Sequence, residues 1–380
     1  MTQIPARHTI PSGLVTLADH ELHAHTQLDD NAWAYFSGGA ADEISLRANR
    51  TAWDALSLWP RVLRPLAGGH TRVPLLGRTL AHPILLAPVA FQRMAHPDGE
   101  LAMAYAAAAL GAGVVLSTQA SVSVESVAQA VLPDPGRGPL WFQLYLQPDR
   151  GFTQALVQRA EAAGYEALVL TVDAPTSGVR DRERRAGFRL PSGVGPVNLA
   201  GLQTPASPPL SPGQSALFDG LLHHAPTWDD IAWLQSITRL PVLLKGVLHP
   251  VDACQAVSVG AAGLIVSNHG GRTLDTAPAT ATALPRVVRA VGGAVPVLVD
   301  GGIRRGTDVL KAMALGASAV LVGRPAVWGL ANAGAAGVAH VLRLLRDELE
   351  VAMALTGCAT LAEATPALLE GQDGAPSGRD

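Results

Sequence analysis

The sequence predicts an α/β fold, a (β/α)8 TIM barrel with an N-terminal helical extension and a long loop after strand 4. Three observations support this prediction. From about residue 83, eight short apolar runs alternate with amphipathic helical patterns. Most runs are continuous Val, Leu, Ile and Ala, which is typical of parallel strands covered on both faces. Nearly every run ends in a polar or small residue, as the active face of such a barrel requires.

The elements follow one another in regular order. The predicted strands are Pro83–Val89, Val114–Ser117, Leu140–Leu146, Ala167–Asp173, Pro241–Gly246, Gly263–Asn268, Pro296–Gly301 and Ala319–Gly323. The predicted helices between them are Asp98–Gly111, Ser123–Val131, Gly151–Ala163, Trp228–Thr238, Pro250–Val259, Ala279–Val291 and Gly306–Leu315.

Two segments depart from this regularity, although all 380 residues are expected to form one domain. Residues 1–80 precede the first barrel strand and are helical in parts, so we expect a cap over one barrel end. Residues 189–226 are rich in Pro, Ser and Gly. A connection of this length is typically a functional lid or disordered. We therefore predict a mobile loop that gates a substrate.

Composition excludes several classes of protein. The net charge is −3 without a long basic block, so we expect no nucleic-acid or anionic-membrane partner. Cys254 and Cys358 cannot form a disulfide framework and lack metal-ligand spacing, which predicts a reducing cytoplasm and no metal. The first residues lack an apolar signal core, and no stretch has the length of a membrane-spanning helix.

The most informative motif is Ser267-Asn-His-Gly-Gly-Arg-Thr-Leu-Asp275, directly after a predicted strand. It places His269 and Arg272 at the carboxyl end of the strand, and the two glycines between them allow a close turn. A base beside an Arg fits a 2-hydroxy acid, because one group takes the hydroxyl proton and the other binds the carboxylate. The alternative is a core histidine with both ring nitrogens bonded.

Two further charges complete this hypothesis. Asp173, at the end of strand 4, can orient His269 and stabilise its imidazolium. Its alternative is a structural salt bridge with Arg180 or Arg182. Arg180 is a candidate second cation for the substrate, whereas most charges in residues 178–185 are expected to face solvent.

The last strand ends indicate a phosphate site. Asp300-Gly-Gly-Ile-Arg304 opens a helix, which would turn backbone N–H groups outward, and Gly323-Arg324 adds a second glycine and cation. The alternative is a structural Asp300–Arg304 pair. Lys245 ends an otherwise apolar strand, where it would meet an anion or a reducible ring. Its alternatives are a solvated lysine at the rim and a Schiff-base lysine in a cofactor-free, aldolase-like barrel.

From about Trp33 to Ala331 the chain resembles the FMN-dependent 2-hydroxy-acid oxidase and dehydrogenase family, which includes glycolate, lactate and mandelate enzymes. The motifs that carry the resemblance are Ser267–Arg272 and Asp300–Arg304, supported by Ala87–Glu100 and Phe142–Tyr145. The resemblance implies bound FMN, a small 2-hydroxy-acid substrate and a homotetramer. A non-redox FMN barrel of the type 2 isopentenyl diphosphate isomerase kind would share the phosphate site but needs no His-Gly-Gly-Arg clamp. A binding or scaffold protein would not need its intact His269, Arg272 and Lys245.

The resemblance also implies a role for each matching residue. His269 would accept the hydroxyl proton, Asp173 would support the charged His269, and Tyr145 would hydrogen-bond the substrate oxygen. Arg272 and Arg180 would bind the substrate carboxylate. Lys245 would stabilise the reduced flavin ring, Ser117, Gln143 and Thr171 would bond its edge, and Ala90 would lie near N5. Asp300 would hold the ribityl chain, and Arg304, Gly323 and Arg324 the phosphate. Further cofactor contacts are expected from Pro88, Val89, Ser267, Gly301 and Gly302.

Two positions depart from the family pattern. Ungapped counting places Trp33 where many members have an active-site tyrosine, and Gln119 where a tryptophan is common. An indole N–H cannot reproduce the donor and acceptor of a phenol. These departures predict a reshaped pocket for a bulkier, aromatic 2-hydroxy acid. Alanine at Ala90 occurs more with oxygen-using members, which favours an oxidase that forms H2O2 over a dehydrogenase with another acceptor.

Overall fold

A closed barrel of eight parallel strands forms the centre of the molecule. The computed structural model describes residues 9–203, 211 and 213–371. The barrel strands are β3 (Ile84–Leu86), β4 (Gly113–Leu116), β5 (Leu140–Leu144), β6 (Ala167–Thr171), β7 (Val242–Lys245), β8 (Gly263–Val266), β9 (Val297–Val299) and β10 (Ala319–Val322). Each pairs with the next in sequence, and β10 closes the ring against β3. The predicted (β/α)8 barrel is confirmed.

The barrel strands are buried along their whole length, as continuous apolar runs require. The regular strands end earlier than predicted: the first ends at Leu86 rather than Val89. The predicted ends included residues beyond the last paired position, several of them polar, such as Ser117, Asp173 and Asn268. Several of these extra residues, Ser117 among them, form part of the wall of the cavity described below.

Helices cover the outside of the barrel. All seven predicted barrel helices are present: α4 (Gly99–Leu110), α5 (Val124–Val131), α6 (Arg150–Ala163), α8 (Asp229–Ser236), α9 (Pro250–Ser258), α10 (Thr280–Val291) and α11 (Gly306–Ala314). The eighth helix, α12 (Arg324–Thr356), was not predicted. It bends at Ala333 and Gly334, where the backbone leaves helical geometry, and it packs on α4 and α11. No helix in the described ranges is long and apolar enough to cross a bilayer.

The N-terminal extension lies against both ends of the barrel. Its helices are α1 (Leu17–Gln27), α2 (Asp30–Ser37) and α3 (Ile44–Asp54), followed by an antiparallel hairpin of β1 (Val73–Leu75) and β2 (Arg78–Leu80). α3 reaches the carboxyl ends of the strands, where Asn49 exchanges hydrogen bonds of 2.8 Å with Asn268. The hairpin lies at the opposite end, where Arg78 pairs with Glu166 just before β6.

The long loop after the fourth barrel strand contains short helical segments. They are α7 (Asp181–Arg185), 3-10 turns at Val197–Leu199 and Leu221–His224, and a π-helical turn at Ala216–Gly220. Buried Asn198 fixes the early part of the loop, since it accepts from Val124 N–H at 3.0 Å and donates to the Val122 carbonyl at 3.1 Å. Residues 204–210 and 212 of the predicted mobile loop lie outside the described residues.

Candidate active site

A cavity of about 1210 Å³ opens at the carboxyl ends of the barrel strands. Residues that follow all eight strands line it, so the closed barrel brings together segments far apart in sequence. The predicted site residues in its wall are Pro88, Val89, Ala90, Ser117, Gln119, Gln143, Tyr145, Thr171, Arg180, Lys245, His269, Arg272, Asp300, Gly301, Gly302, Arg304, Gly323 and Arg324. Trp33, Asp173 and Ser267 are not part of the wall.

His269 and Asp173 form a hydrogen-bonded pair at one end of the cavity. His269 Nδ1–H donates to Asp173 Oδ1 at 2.9 Å, which leaves Nε2 as the basic nitrogen. Burial lowers the pKa of His269 below its usual 6.5, and Lys245 and Arg272 add to this effect while Asp173 opposes it. The imidazole is therefore neutral near pH 7 and can accept a proton.

Asp173 is ionised, as a partner of His269 must be. Burial alone would raise its pKa, but His269 and Lys245 together hold the pKa below the usual 3.8. Its second oxygen, Oδ2, is buried without a hydrogen-bond partner among the described residues. The alternative salt bridges with Arg180 or Arg182 are not formed, since those arginines pair with Glu183 and Glu43.

Tyr145 stands beside the basic nitrogen. Its hydroxyl lies 3.5 Å from His269 Nε2, at the limit of a hydrogen bond. Burial raises the pKa of Tyr145 to about 12. The phenol therefore stays protonated over the whole physiological range and can donate a hydrogen bond to an oxygen placed between it and the imidazole.

Arg272 and Arg180 lie on the same side of the cavity, and both contact Glu183. Arg272 Nη1 donates to the carbonyl of Gly38 at 2.9 Å, and its Nη2 donates to Glu183 Oε1 at 2.9 Å. Arg180 Nη1 lies 3.4 Å from the same oxygen. Arg180 Nε is buried and has no hydrogen-bond partner among the described residues. Glu183 also lines the cavity, and the sequence analysis missed it because it lies in a run of charges expected to face solvent.

Lys245 is held in a buried ion pair with Asp300. Its Nζ lies 3.1 Å from Asp300 Oδ2 and donates to Ser267 Oγ at 2.9 Å, and the residue is only 4% exposed. Burial alone would lower its pKa, but Asp300 and Asp173 outweigh this and raise the pKa above 10.5. A solvated lysine is thus excluded, and a charged amine cannot act as a Schiff-base nucleophile.

Ser267 departs from its predicted role as a cofactor contact. It is fully buried behind the cavity wall. Its hydroxyl accepts hydrogen bonds from Lys245 Nζ at 2.9 Å and from the backbone N–H of His269 at 3.0 Å. β8 ends at Val266, two residues earlier than predicted, and the Ser267 hydroxyl lies against Lys245 at the end of β7. Ser267 positions two cavity residues instead.

Ser117, Gln143 and Thr171 form a chain of side-chain hydrogen bonds across β4, β5 and β6. Ser117 Oγ donates to Gln143 Oε1 at 3.3 Å, and Gln143 Nε2 donates to Thr171 Oγ1 at 3.0 Å. All three are buried yet line the cavity. They present fixed donors and acceptors along one edge, as recognition of a planar heterocycle requires.

Two arginines, Arg304 after β9 and Arg324 after β10, line the part of the cavity that we call its far end. The two ends meet at Gly38, whose carbonyl accepts from both Arg324 and Arg272. Arg324 donates through Nε, Nη1 and Nη2 to the carbonyls of Phe36, Gly270 and Gly38 at 3.1, 2.9 and 2.7 Å. Arg304 lies over the Trp328 ring, 4.7 Å from its centroid. Burial lowers the pKa of Arg324 to about 9 and that of Arg304 to about 10.

Neither of these two arginines has a carboxylate within ion-pair distance in the described part of the chain. The Asp300–Arg304 pair, which was the alternative to a phosphate site, is not formed, because Asp300 pairs with Lys245. The charge of Glu21 acts on both arginines and raises their pKa values against the effect of burial, but it forms no ion pair with either. Two partly buried positive charges without an ion-pair partner are costly. An anion bound between them, such as a phosphate, would remove that cost.

The helix after β9 does not present free amides as predicted. The N–H groups of Arg304 and Arg305 both donate to Asp308 Oδ2 at 2.9 Å, and that of Gly306 donates to Glu348 Oε2 at 2.9 Å. The carboxylates of the chain itself thus cap α11. Cavity residues at this end are Gly301, Gly302, Gly323 and the two arginines. Gly302 has φ +85°, and a Cβ there would lie 2.5 Å from the Asn49 carbonyl oxygen.

The predicted position of Trp33 in the substrate pocket is corrected by the structure. Trp33 stacks on His25, with ring centroids 4.4 Å apart, and does not line the cavity. Tyr35 does line it, and Arg272 lies over its ring at 5.0 Å. Residues two apart on a helix point to nearly opposite faces, so a count that slips by two selects the wrong side of α2. Gln119 lines the cavity as predicted, so one departure from the family pattern remains.

The donor set fits FMN. Asp300 Oδ1 is buried without a partner among the described residues, ready to accept from a hydroxyl group. The cavity offers a hydrogen-bonding edge at β4–β6, the Lys245 charge at its centre and unpaired guanidinium groups at its far end. That order of groups suits a ring, a polyol and a phosphate. No cluster of His, Cys, Asp and Glu in the described ranges suits a metal ion.

Comparisons with known proteins agree with this geometry. A family model described as FMN-dependent dehydrogenase matches residues 24–371. An L-lactate oxidase of Roseobacter sp. (strain GAI101) is 54% identical over 97% of this chain and 98% of that protein. Glycolate oxidase 1 of Zea mays is 46% identical over 93% of this chain and 94% of its own length.

Solved structures give the same result. A crystal structure of mandelate oxidase with (S)-2-phenylpropionate has a TM-score of 0.82 at 45% identity, covering 92% of this chain and 96% of that one. The family match, the two full-length relatives and the order of groups in the cavity lead to one conclusion. The chain belongs to the FMN-dependent dehydrogenase family and is a flavin enzyme that oxidises 2-hydroxy acids.

Proposed function

We propose that this chain oxidises an (S)-2-hydroxy acid of the lactate type to the 2-oxo acid and uses dioxygen as electron acceptor, forming hydrogen peroxide. The observation that carries the proposal is the convergence of a neutral base, a phenol and two guanidinium groups at one end of the cavity, namely His269, Tyr145, Arg272 and Arg180. A 2-hydroxy acid has one proton to remove, one oxygen to hold and one carboxylate to bind.

His269 acts as the base in this proposal. Its Nδ1–H is committed to Asp173, so Nε2 is the atom that takes the hydroxyl proton. Asp173 then stabilises the imidazolium, because the carboxylate is already ionised before the proton arrives. Bound FMN supplies a two-electron sink for the hydride of the substrate α-carbon.

The arginines and Tyr145 orient the substrate. Arg272 is fixed by the Gly38 carbonyl and by Glu183, so its guanidinium plane is set before a ligand binds. Arg180 keeps a buried Nε–H free for an incoming carboxylate oxygen. The protonated phenol of Tyr145 donates to the substrate oxygen on which charge changes during the reaction.

Lys245 provides a fixed positive charge in the cavity wall. Its raised pKa keeps the amine protonated, and the pairs with Asp300 and Ser267 hold it in place. A charge that is oriented in advance stabilises negative charge developing nearby without reorganisation. Lys245 would stabilise the reduced ring, and Ser117, Gln143 and Thr171 would hydrogen-bond the edge of the ring.

The substrate side chain is proposed to be small. Tyr35 in the cavity removes one of the two reasons for expecting an aromatic acid. L-lactate oxidases of three bacteria are 50–54% identical to this chain over nearly its full length. Gln119 and the apolar wall of Phe188, Leu199 and Leu221 still leave room for a larger group. Aromatic acids therefore belong in the same test.

Product analysis tests the proposal. Purified FMN-loaded protein is incubated in air with L-lactate, glycolate, (S)-mandelate and D-lactate, and 2-oxo acid and peroxide are measured. We expect equal amounts of pyruvate and peroxide from L-lactate, and none from D-lactate. If pyruvate forms only when an electron-accepting dye is added, and no peroxide appears, the chain is a dehydrogenase and not an oxidase. No product from any acid would contradict the proposal.

We also propose a cytoplasmic location and a homotetrameric assembly. Cys254 is exposed and Cys358 buried, and both are free thiols, which fits the reducing cytoplasm expected from the sequence. A homotetramer is implied by the family resemblance. Light scattering of the purified protein measures the assembly directly, and a monomer or dimer mass would contradict it.

A further inference from the structure

We propose that Glu183 is a specificity-determining residue that restricts the substrate to 2-hydroxy monocarboxylates. This inference rests on the proposed function, because it concerns the same carboxylate site. Glu183 lines the cavity between the two arginines, and one of its oxygens contacts both guanidinium groups, at 2.9 Å from Arg272 Nη2 and 3.4 Å from Arg180 Nη1.

The argument begins with the charge of this cluster. Two guanidinium groups and one carboxylate leave a net charge of +1 for the ligand. All three side chains are largely buried, at 13% exposure for Arg272 and Glu183 and 21% for Arg180. At low exposure, charges are weakly screened by solvent and salt, so the net charge of these three side chains acts on a ligand over several ångströms.

The neighbouring charges do not change this count. Three neighbouring ionisable groups are paired within the chain: His269 with Asp173, Lys245 with Asp300, and Arg182 with Glu43. Arg324 also adjoins the cluster, since it donates to the Gly38 carbonyl that Arg272 contacts, but in the FMN-loaded protein its charge is assigned to the cofactor phosphate. A single substrate carboxylate therefore neutralises the cluster. A second carboxylate on the same substrate would add an uncompensated negative charge near Glu183.

Glu183 does not fill every hydrogen-bond donor of Arg180 and Arg272, so it does not take the place of the substrate carboxylate. Arg180 Nε is buried without a partner among the described residues. A donor in this position is costly unless a ligand fills it. Burial and the charge of Arg180 both lower the pKa of Arg272, and Glu183 acts in the opposite direction. The carboxylate thus offsets the repulsion between the two arginines while leaving donors for one anion.

A pair of matched substrates separates charge from size. L-malate and L-2-hydroxy-4-methylpentanoate have side chains of the same shape, but only malate carries the second carboxylate. We measure kcat/KM for both with the FMN-loaded wild type, E183Q and E183D. The preference for the uncharged side chain should fall about tenfold in E183Q, because one unfavourable charge pair is removed, and E183D should retain it.

The matched control is D181N. Asp181 lies on the same short helix, carries the same charge and pairs with exposed Arg184 outside the cavity wall. It should leave the preference unchanged. A preference that stays the same in E183Q, or that falls equally in D181N, would overturn the inference.

A second measurement applies if E183Q does not fold. Binding of succinate and of 4-methylpentanoate to the wild-type holoenzyme is measured by calorimetry at low and high salt. Repulsion between charges weakens with salt, so succinate should gain affinity relative to 4-methylpentanoate. An affinity ratio that does not move with salt would contradict a charge-based filter. If L-lactate itself yields no product, the proposed function fails instead.

Discussion

The two ends of the cavity treat positive charge in opposite ways. At the reactive end, a carboxylate of the chain lies beside the neutral base and beside the arginines, as in the pairs His269–Asp173 and Arg272–Glu183. At the far end, Arg324 is held by backbone carbonyls and Arg304 by the Trp328 ring. No carboxylate in the described ranges lies within ion-pair distance of these two arginines.

This difference explains how one cavity can bind both a substrate and a cofactor. Where the chain supplies its own counter-charge, the pKa values are adjusted for proton transfer and a small acid can enter and leave. Where no carboxylate of the described chain lies within ion-pair distance, the ligand brings most of the negative charge, and releasing that ligand would restore the cost of two partly buried cations. The first end suits a substrate, and the second suits a cofactor that stays bound through turnover.

The largest expected effect is at the base. His269→Ala should slow flavin reduction by the substrate about 10³-fold, because general-base catalysis contributes about 10²–10⁴. FMN content should stay at the wild-type level, since the far end is unchanged. Anaerobic stopped-flow spectroscopy measures the rate. A variant that reduces flavin as fast as the wild type would remove His269 from the mechanism.

A smaller loss is expected when the partner of the base is changed. Asp173→Asn keeps the size of the side chain but removes the charge that stabilises the imidazolium, so flavin reduction should fall about 100-fold. The same stopped-flow assay applies. If Asp173 only supported the fold, the variant would lose stability in thermal unfolding while its rate per folded molecule stayed the same.

The far end predicts an effect on binding rather than on rate. Arg324→Gln should weaken FMN affinity about 10–100-fold, because a charge-assisted contact is lost. Arg180→Gln is the matched control at the other end, and it should raise KM for the hydroxy acid while FMN retention is unaffected. Equilibrium dialysis measures the FMN affinity of both variants, and steady-state kinetics measure KM. Equal loss of FMN in the two variants would break the distinction between the ends.

The smallest effect is a pH dependence. His269 must be neutral, and its pKa lies below 6.5, so kcat/KM should be flat above that value and fall tenfold per pH unit below its pKa. Tyr145 has a pKa of about 12, so no alkaline loss is expected from it below that pH. Since Asp173 raises the pKa of His269, Asp173→Asn should move the acid limb to lower pH. An acid limb that does not move would argue against the pair.

The sequence predicted most of the fold because buried parallel strands are continuous apolar runs. It missed α12, although Gly323 at the N-cap and Pro325 in the first turn are helix-start signals. The strand ends were predicted too late, since the polar residues that follow the strands were counted with them, although backbone pairing stops before Ser117, Asp173 and Asn268. Motifs with a fixed spacing, such as His269 and Arg272, placed most of the site correctly in the cavity wall.

Errors occurred where tertiary contacts decide. Trp33 and Tyr35 differ only in the helix face they occupy, which an ungapped count does not reveal. The amides of α11 were expected to be free, but Glu348, which caps one of them, is 42 residues away in sequence. Glu183 looked like a solvated charge until the barrel placed it between two arginines. Tyr35 lies three residues before Gly38, about one helical turn, so counting back from Gly38 by helical turns would have selected Tyr35 instead of Trp33.

The most direct test of the central claim is anaerobic mixing of the yellow, FMN-loaded protein with 2-hydroxy acids. We predict that L-lactate bleaches the oxidised-flavin band completely in the absence of oxygen. The account is contradicted if the protein holds FMN and the band persists with every 2-hydroxy acid tried.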